Sequence, residues 1–126
     1  MKDKMTFSVE DVANLFAPGE PYTLGCESSD IPNMISYCKT LSSKQCCTVK
    51  DWQLWTLQNS PLHQIIYAGA IIEDEMGRFD SGNWIRTSQI LEFHEDCICE
   101  TRNTFYILVG EGTQKDVPLE LAYSIP

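Results

Sequence analysis

Two strand-like runs separated by only three residues constrain this chain more than any other feature. The first, "NWIRTSQILEF", spans Asn83 to Phe93, and the second, from Cys97 through "CETRNTFYILVGEG", carries on to Val109 and the glycines beyond. The joint is His94-Glu95-Asp96, a tight reversal, so the two runs are expected to pair antiparallel. Both place polar residues where an apolar strand is otherwise forming: Arg86, Thr87 and Ser88 in one, Thr101, Arg102, Asn103 and Thr104 in the other.

Their register can be tested by the faces it creates. With Phe93 opposite Ile98, each face mixes core with charge: Leu91 meets Glu100, and Arg86 meets Phe105. With His94 opposite Ile98 the sorting improves. Ile85, Thr87, Gln89, Leu91 and Phe93 then lie against Ile107, Phe105, Asn103, Thr101 and Cys99, an apolar face in which Gln89 and Asn103 satisfy each other. The other face gathers Trp84, Arg86, Ser88, Ile90 and Glu92 against Leu108, Tyr106, Thr104, Arg102 and Glu100. A one-residue slip exchanges the faces, so the cleaner sorting predicts the register. It also predicts a candidate binding face made of Trp84, Arg86, Ser88, Glu92, Glu100, Arg102, Thr104 and Tyr106, with Arg102 neutralising Glu92 diagonally and Arg86 against Tyr106. The bland alternative is a solvated sheet face, or one covered by the N-terminal helices.

Upstream, "FSVEDVANLFAPGEP" has the marks of a short helix. Ser8 and Asp11 have capping-box spacing, Val9, Val12, Ala13 and Phe16 form a stripe, and Pro18-Gly19 ends it. "DIPNMISYCKTL" predicts a second helix, capped by Asp30, with Ile31, Met34, Ile35, Cys38 and Leu41 on one side. "CCTVKDWQLWTLQ" fits a capping box at Thr48 and Asp51 as well as a strand, and the β-formers favour a strand near Trp52 to Leu57. From Pro61 onward the pattern is strands and turns. "HQIIYAGAII" predicts a strand buried on both faces, "EDEMGRF" and "DSGN" predict glycine turns, and "GEGTQKD" predicts a polar loop. "VPLELAYSI" alternates as a last strand, with Leu119, Leu121, Tyr123 and Ile125 on one face. The expected architecture is α+β: a mainly helical residues 1–45 packed on an antiparallel β-meander of about five strands over 46–126, all in one domain.

At 126 residues, 43% of them hydrophobic, the chain can bury a core without staples. Nine basic against 18 acidic residues give a net charge of −9. Clustered Lys and Arg are what a phosphate-tracking face needs, so this balance argues against nucleic acid and anionic membranes and suits a basic protein partner. No apolar run reaches the roughly 18 residues of a membrane span. "MKDKMTFSVEDV" lacks the apolar core of a signal peptide. A cytoplasmic location and six reduced cysteines are the expectation.

Several residues invite catalytic or metal readings. Cys46-Cys47, and His94 with Cys97 and Cys99 as H-x2-C-x-C, offer zinc ligands. The spacing departs from C-x2-C, and Cys97 and Cys99 are expected on one side of a strand as small core residues. His94 near Cys97, and His63, lack the turn that would activate a thiol. Glu92 and Glu100 have the type of an acid–base couple but better neutralise arginines. "EDEMGRFD" lacks the calcium-loop frame, and "GEG" is too little for a phosphate loop. No metal and no cofactor are expected, and the balance favours binding over catalysis.

"YAGAIIEDEMGRFDSGNWIRTSQILEF" with "ETRNTFYILVGEG" resembles the core of a family of short uncharacterised bacterial and prophage-encoded proteins, a domain of unknown function. Asp74, Arg78, Phe79, Gly82, Trp84, Arg86, Thr87, Ser88, Thr101, Arg102, Asn103, Thr104, Tyr106, Leu108, Gly110 and Gly112 carry the likeness, and Asn83 and Ile85 depart from it mildly. The resemblance spans Trp52 to Gly112. It implies no activity, only the limits of the sheet and an origin in mobile elements.

The reading these features support is a small acidic, non-enzymatic protein-binding module, in its concrete form an anti-CRISPR-like counter-defence inhibitor docking on a host protein. A small-anion binder or enzyme using the Trp/Arg/Glu/Tyr patch, and an immunity or antitoxin protein, are the alternatives. An exposed meander edge could pair with a second copy, so monomer and homodimer both stay open.

Overall fold

The structure, a computed structural model, describes residues 8–22, 24–58 and 63–124. Met1 to Phe7, read above for a signal peptide, and Ile125 lie outside the described residues. The fold is α+β, and its centre is one long strand. β2 (Gln45–Gln58) pairs antiparallel with β3 (Gln64–Asp74) along one edge. Its other edge takes two partners in succession, both parallel: β7 (Thr104–Val109) on the first half and β8 (Gly112–Pro118) on the second.

This corrects the antiparallel meander expected from sequence. Parallel neighbours need a long connection, and the roughly 45 residues between the ends of β2 and β7 provide it. That connection contains β4 (Ile85–Arg86), β5 (Glu92–His94) and β6 (Ile98–Glu100). β4 pairs with β3, β5 with β6, and β6 with β7, all antiparallel. Between β4 and β5, Ile90 N–H donates to Gln64 O of β3 (2.8 Å) and Leu91 N–H donates to Glu100 O of β6 (2.8 Å). One continuous segment thus bridges both sides of a strongly curled sheet. β1 (Glu20–Tyr22) pairs antiparallel with β8 at an outer edge.

The curl encloses Cys47, Val49, Trp52, Leu54, Ile66, Ala68, Ile71, Ile85, Ile90, Cys99, Tyr106 and Leu108. Asp51, with φ 55°, interrupts the alternation of β2, so the enclosed set passes from Cys47 and Val49 to Trp52 and Leu54. Two further clusters cover the outside. α2 (Ile31–Leu41) lies over Cys26, Cys46, Ile98, Phe105, Ile107 and Val109. α1 (Val9–Leu15) and α3 (Leu119–Ala122) close over Trp55, Leu57, Ile65 and Val117.

Local expectations fared unevenly. The capping box forms: Ser8 Oγ accepts from Asp11 N, and Asp11 Oδ2 accepts from Ser8 N, each at 3.0 Å. α1 buries Leu15 instead of the expected stripe, and Val9 is exposed. Asp30 precedes α2 but turns back to accept from Glu27 N at 3.2 Å, making no side-chain cap on α2 itself. The glycine turns occur at Gly77 and Gly82, both with positive φ. "GTQKD", expected within a polar loop, belongs to strand β8 with Val117 and Pro118, because its backbone is bonded on both sides. "LELA", expected as a strand, is α3, one turn that follows Pro118 (φ −58°).

Candidate functional site

The expected hairpin register holds at the reversal, where Glu92 lies opposite Glu100, Phe93 opposite Cys99, and His94 opposite Ile98. It ends there. Thr101 N–H and Thr101 Oγ1 both donate to Thr104 O (2.9 and 3.2 Å), so "TRNT" is a turn that folds β6 back onto β7. Arg102 and Asn103 occupy its exposed tip.

Arg86 is elsewhere, opposite Tyr67 of β3. The eight residues expected on one face therefore divide. Thr104 and Tyr106 are buried, and Tyr106 belongs to the enclosed core. Ser88 is exposed between β4 and β5. Glu92 and Glu100 stay together, and so do Trp84 and Arg86. Alternation fails between Thr87 and Ile90, both buried, which is why the expected faces do not survive past β4.

The first grouping is aromatic and cationic. Tyr67 stacks on Trp55 with centroids 5.2 Å apart and planes 4° from parallel. Phe16 (5.1 Å) and Trp84 (6.1 Å) pack against the same Tyr67 ring. Arg86 Nη1 donates to Ala122 O at 3.0 Å, and its guanidinium lies 5.0 Å over the Tyr123 ring. Tyr123 Oη is 3.2 Å from His63 Nε2. Beside this, Phe79, Trp84, Ile85 and Arg86 line a shallow depression of about 250 Å³. Phe79, Trp84 and Tyr123 are each more than 40% exposed, and large exposed rings set close to a surface depression mark a docking surface more often than a lone exposed ring does.

The second grouping surrounds Glu100. Lys44 Nζ donates to Glu100 Oε2, while His94 Nε2 is 2.8 Å from Glu100 Oε1. His94 Nδ1 lies 4.0 Å from Glu92 Oε2. Lys44 beside it, with His94, holds the Glu100 carboxyl below the usual glutamate range. Lys44 and His94 thus do the neutralising that sequence assigned to Arg102. Ligand atoms of Glu92, His94 and Glu100 lie within 4.8 Å of one another, close enough to meet at a cation. The ammonium of Lys44 on one of those carboxylates opposes such a role. The H-x2-C-x-C arrangement is not formed: Cys97 packs under α2 and Cys99 in the enclosed core.

The third grouping is buried and architectural. Asp74, its side chain fully buried, accepts from Arg78 N (2.9 Å), Arg78 Nε (3.1 Å), Arg78 Nη2 (3.3 Å) and Met76 N (3.3 Å). Arg78 continues to Thr104 Oγ1 (3.4 Å) and lies 5.2 Å over the Phe79 ring. These are residues that carried the family likeness, and they tie the Gly77 turn to β7. Sequence reasoning missed Tyr67, Tyr123 and Lys44, which come from distant segments and share no local spacing with Trp84 or Glu100.

Among the described residues, no helix is long and apolar enough to cross a membrane. A family model described as a domain of unknown function, DUF6957, matches residues 23–124. No curated protein and no solved structure matches the chain.

Proposed function

We propose, for a chain that belongs to the DUF6957 family of domains of unknown function, the role of a protein-binding module that docks through Phe79, Trp84, Arg86 and Tyr123. The observation that carries this reading is the exposure of Phe79 and Trp84, which line a shallow depression with Arg86, and of Tyr123, whose ring lies under the Arg86 guanidinium. Trp, Tyr and Arg are the residues from which binding hot spots are most often built. A depression of this shape suits an inserted side chain better than a metabolite enclosed on all sides.

The chain's charge of −9 adds the sign of the partner: a basic surface, met in the cytoplasm, that the acidic residues attract before the rings dock. A counter-defence inhibitor covering a cationic nucleic-acid channel is the specific form of this reading. An immunity protein or antitoxin would use the same acidic, ring-centred surface, and neighbouring genes separate the two.

The small-anion alternative loses the feature that motivated it. Arg86 and Arg102 stand on separate elements, β4 and the β6–β7 turn.

The test is capture of a partner from bacterial lysate at low salt, followed by measured affinity of the purified pair. Trp84→Ala and Phe79→Ala are expected to weaken binding at least tenfold, while Leu41→Ala, at the exposed C-terminal end of α2, leaves it unchanged. Failure to retain any partner, or equal affinity for all three variants, overturns the assignment.

A further inference from the structure

Three sulfurs from three separate segments converge beneath the N-terminal end of α2. Cys97 Sγ lies 3.4 Å from Met34 Sδ. Cys26 and Cys97 are buried in one cluster, and Met34 packs against it. The backbone explains why these two cysteines meet: Cys26 N–H donates to Leu108 O and Leu108 N–H donates to Cys97 O, both at 2.9 Å. Because the N–H and C=O of one strand residue point the same way, Leu108 holds both cysteines against the same edge of β7. Cys26 is 8% and Cys97 is 4% exposed, so solvent barely reaches them.

We infer that Cys26, Cys97 and Met34 form a binding site for a soft monovalent metal ion, with Cu(I) as the species it fits. Two thiolates and a thioether are the donor set that selects Cu(I), whereas zinc sites use no thioether and call for four harder or thiolate ligands. Sulfur-to-sulfur contact at this distance leaves little to rearrange for three-coordinate binding. Binding is a ligand exchange without redox change. The two S–H bonds break, two Cu–S bonds form, Met34 Sδ donates a lone pair, and two protons leave to solvent, giving a site of net charge −1. Affinity should therefore climb with pH, by up to about a hundredfold per unit for two protons released.

The experiment titrates the reduced full chain, without oxygen, with Cu(I) held by a bicinchoninate competitor. One Cu(I) per chain withdrawn from the competitor, with affinity rising with pH, is the expected result. Cys26→Ser and Cys97→Ser should each abolish withdrawal. Met34→Leu, which preserves the apolar volume and the fold, should weaken it at least tenfold. Cys38→Ser, at a buried thiol of the same cluster, should bind as the unsubstituted chain does. No withdrawal of copper, withdrawal unchanged in Met34→Leu, or loss in Cys38→Ser alone each overturns the site.

Discussion

The carboxylate of Asp74, shut away from solvent, grips the side chain of Arg78 through both its oxygens while also accepting the Arg78 backbone N–H. The acid closes β3 and the base begins the next turn, so the contact fixes how the chain leaves the sheet. Removing the base strands a buried charge, and removing the acid frees the turn.

Breaking a buried ion pair costs about 3–5 kcal/mol, but Arg78 retains 31% of its side-chain exposure, which lowers that figure. Asp74→Ala and Arg78→Ala are each expected to cost about 2–3 kcal/mol by urea denaturation. Arg78→Lys should recover little, since an ammonium cannot reproduce the fork of donors that meets both oxygens. Full recovery by lysine would show that charge alone matters.

Acid should destabilise the protein through three carboxylates. Burial pushes Asp74 up, but Arg78 and the N–H groups of Arg78 and Met76 outweigh it and hold the carboxyl low. Burial likewise raises Glu75, which Lys39 and the Cys46 N–H outweigh. Glu100 is held low by Lys44 first and then His94. Groups depressed in the folded state stabilise it fully above their ordinary values, 3.8 for Asp and 4.5 for Glu, and lose that contribution as pH falls through the lower folded values. The urea midpoint is expected to hold steady from pH 7 to about 5 and to drop below that. Glu75→Gln and Glu100→Gln should each lower the neutral plateau and flatten the descent.

Gly112 faces the indole of Trp52 so closely that a β-carbon would sit 2.4–2.5 Å from three of its ring atoms. Trp52 cannot retreat, because it is 2% exposed and its Nε1 donates to Gly110 O at 3.0 Å. Gly112→Ala should therefore cost about 2–3 kcal/mol as overpacking. Gly77→Ala meets open space and pays only for its φ of +65°, so about 1 kcal/mol is expected. Equal losses at the two positions would contradict the steric account.

The sequence made some of this legible and hid the rest for physical reasons. The Ser8–Asp11 box, the glycine turns and the three pairs Glu92–Glu100, Phe93–Cys99 and His94–Ile98 are local, and local spacing reports them. The division of β2 between two parallel partners is a relation across about 60 residues, and nothing in "CCTVKDWQLWTLQ" announces it. "TRNT" misled because threonine and asparagine serve an edge strand and a turn equally well. At the candidate site, Trp84 and Arg86 were found by their position beside an apolar strand. Tyr123 was assigned to a strand that is a helix, so its ring over Arg86 stayed invisible.

Lys115 supplies what α1 lacks. The helix has no basic residue in its last turn, yet its terminal carbonyls are met by a lysine about a hundred residues away on β8. Lys115 Nζ donates to Asn14 O (3.0 Å), Ala17 O (2.7 Å) and Leu15 O, matching a cation to the negative end of a helix. Lys115→Met keeps the aliphatic stem and removes only the donors. It is expected to cost about 1–2 kcal/mol, and to speed amide exchange in α1 while β2 and β3 stay protected. Exchange that quickens uniformly through β2 as well would mean that α1 and the sheet unfold as one unit, and that the lysine secures the whole molecule instead of its first helix.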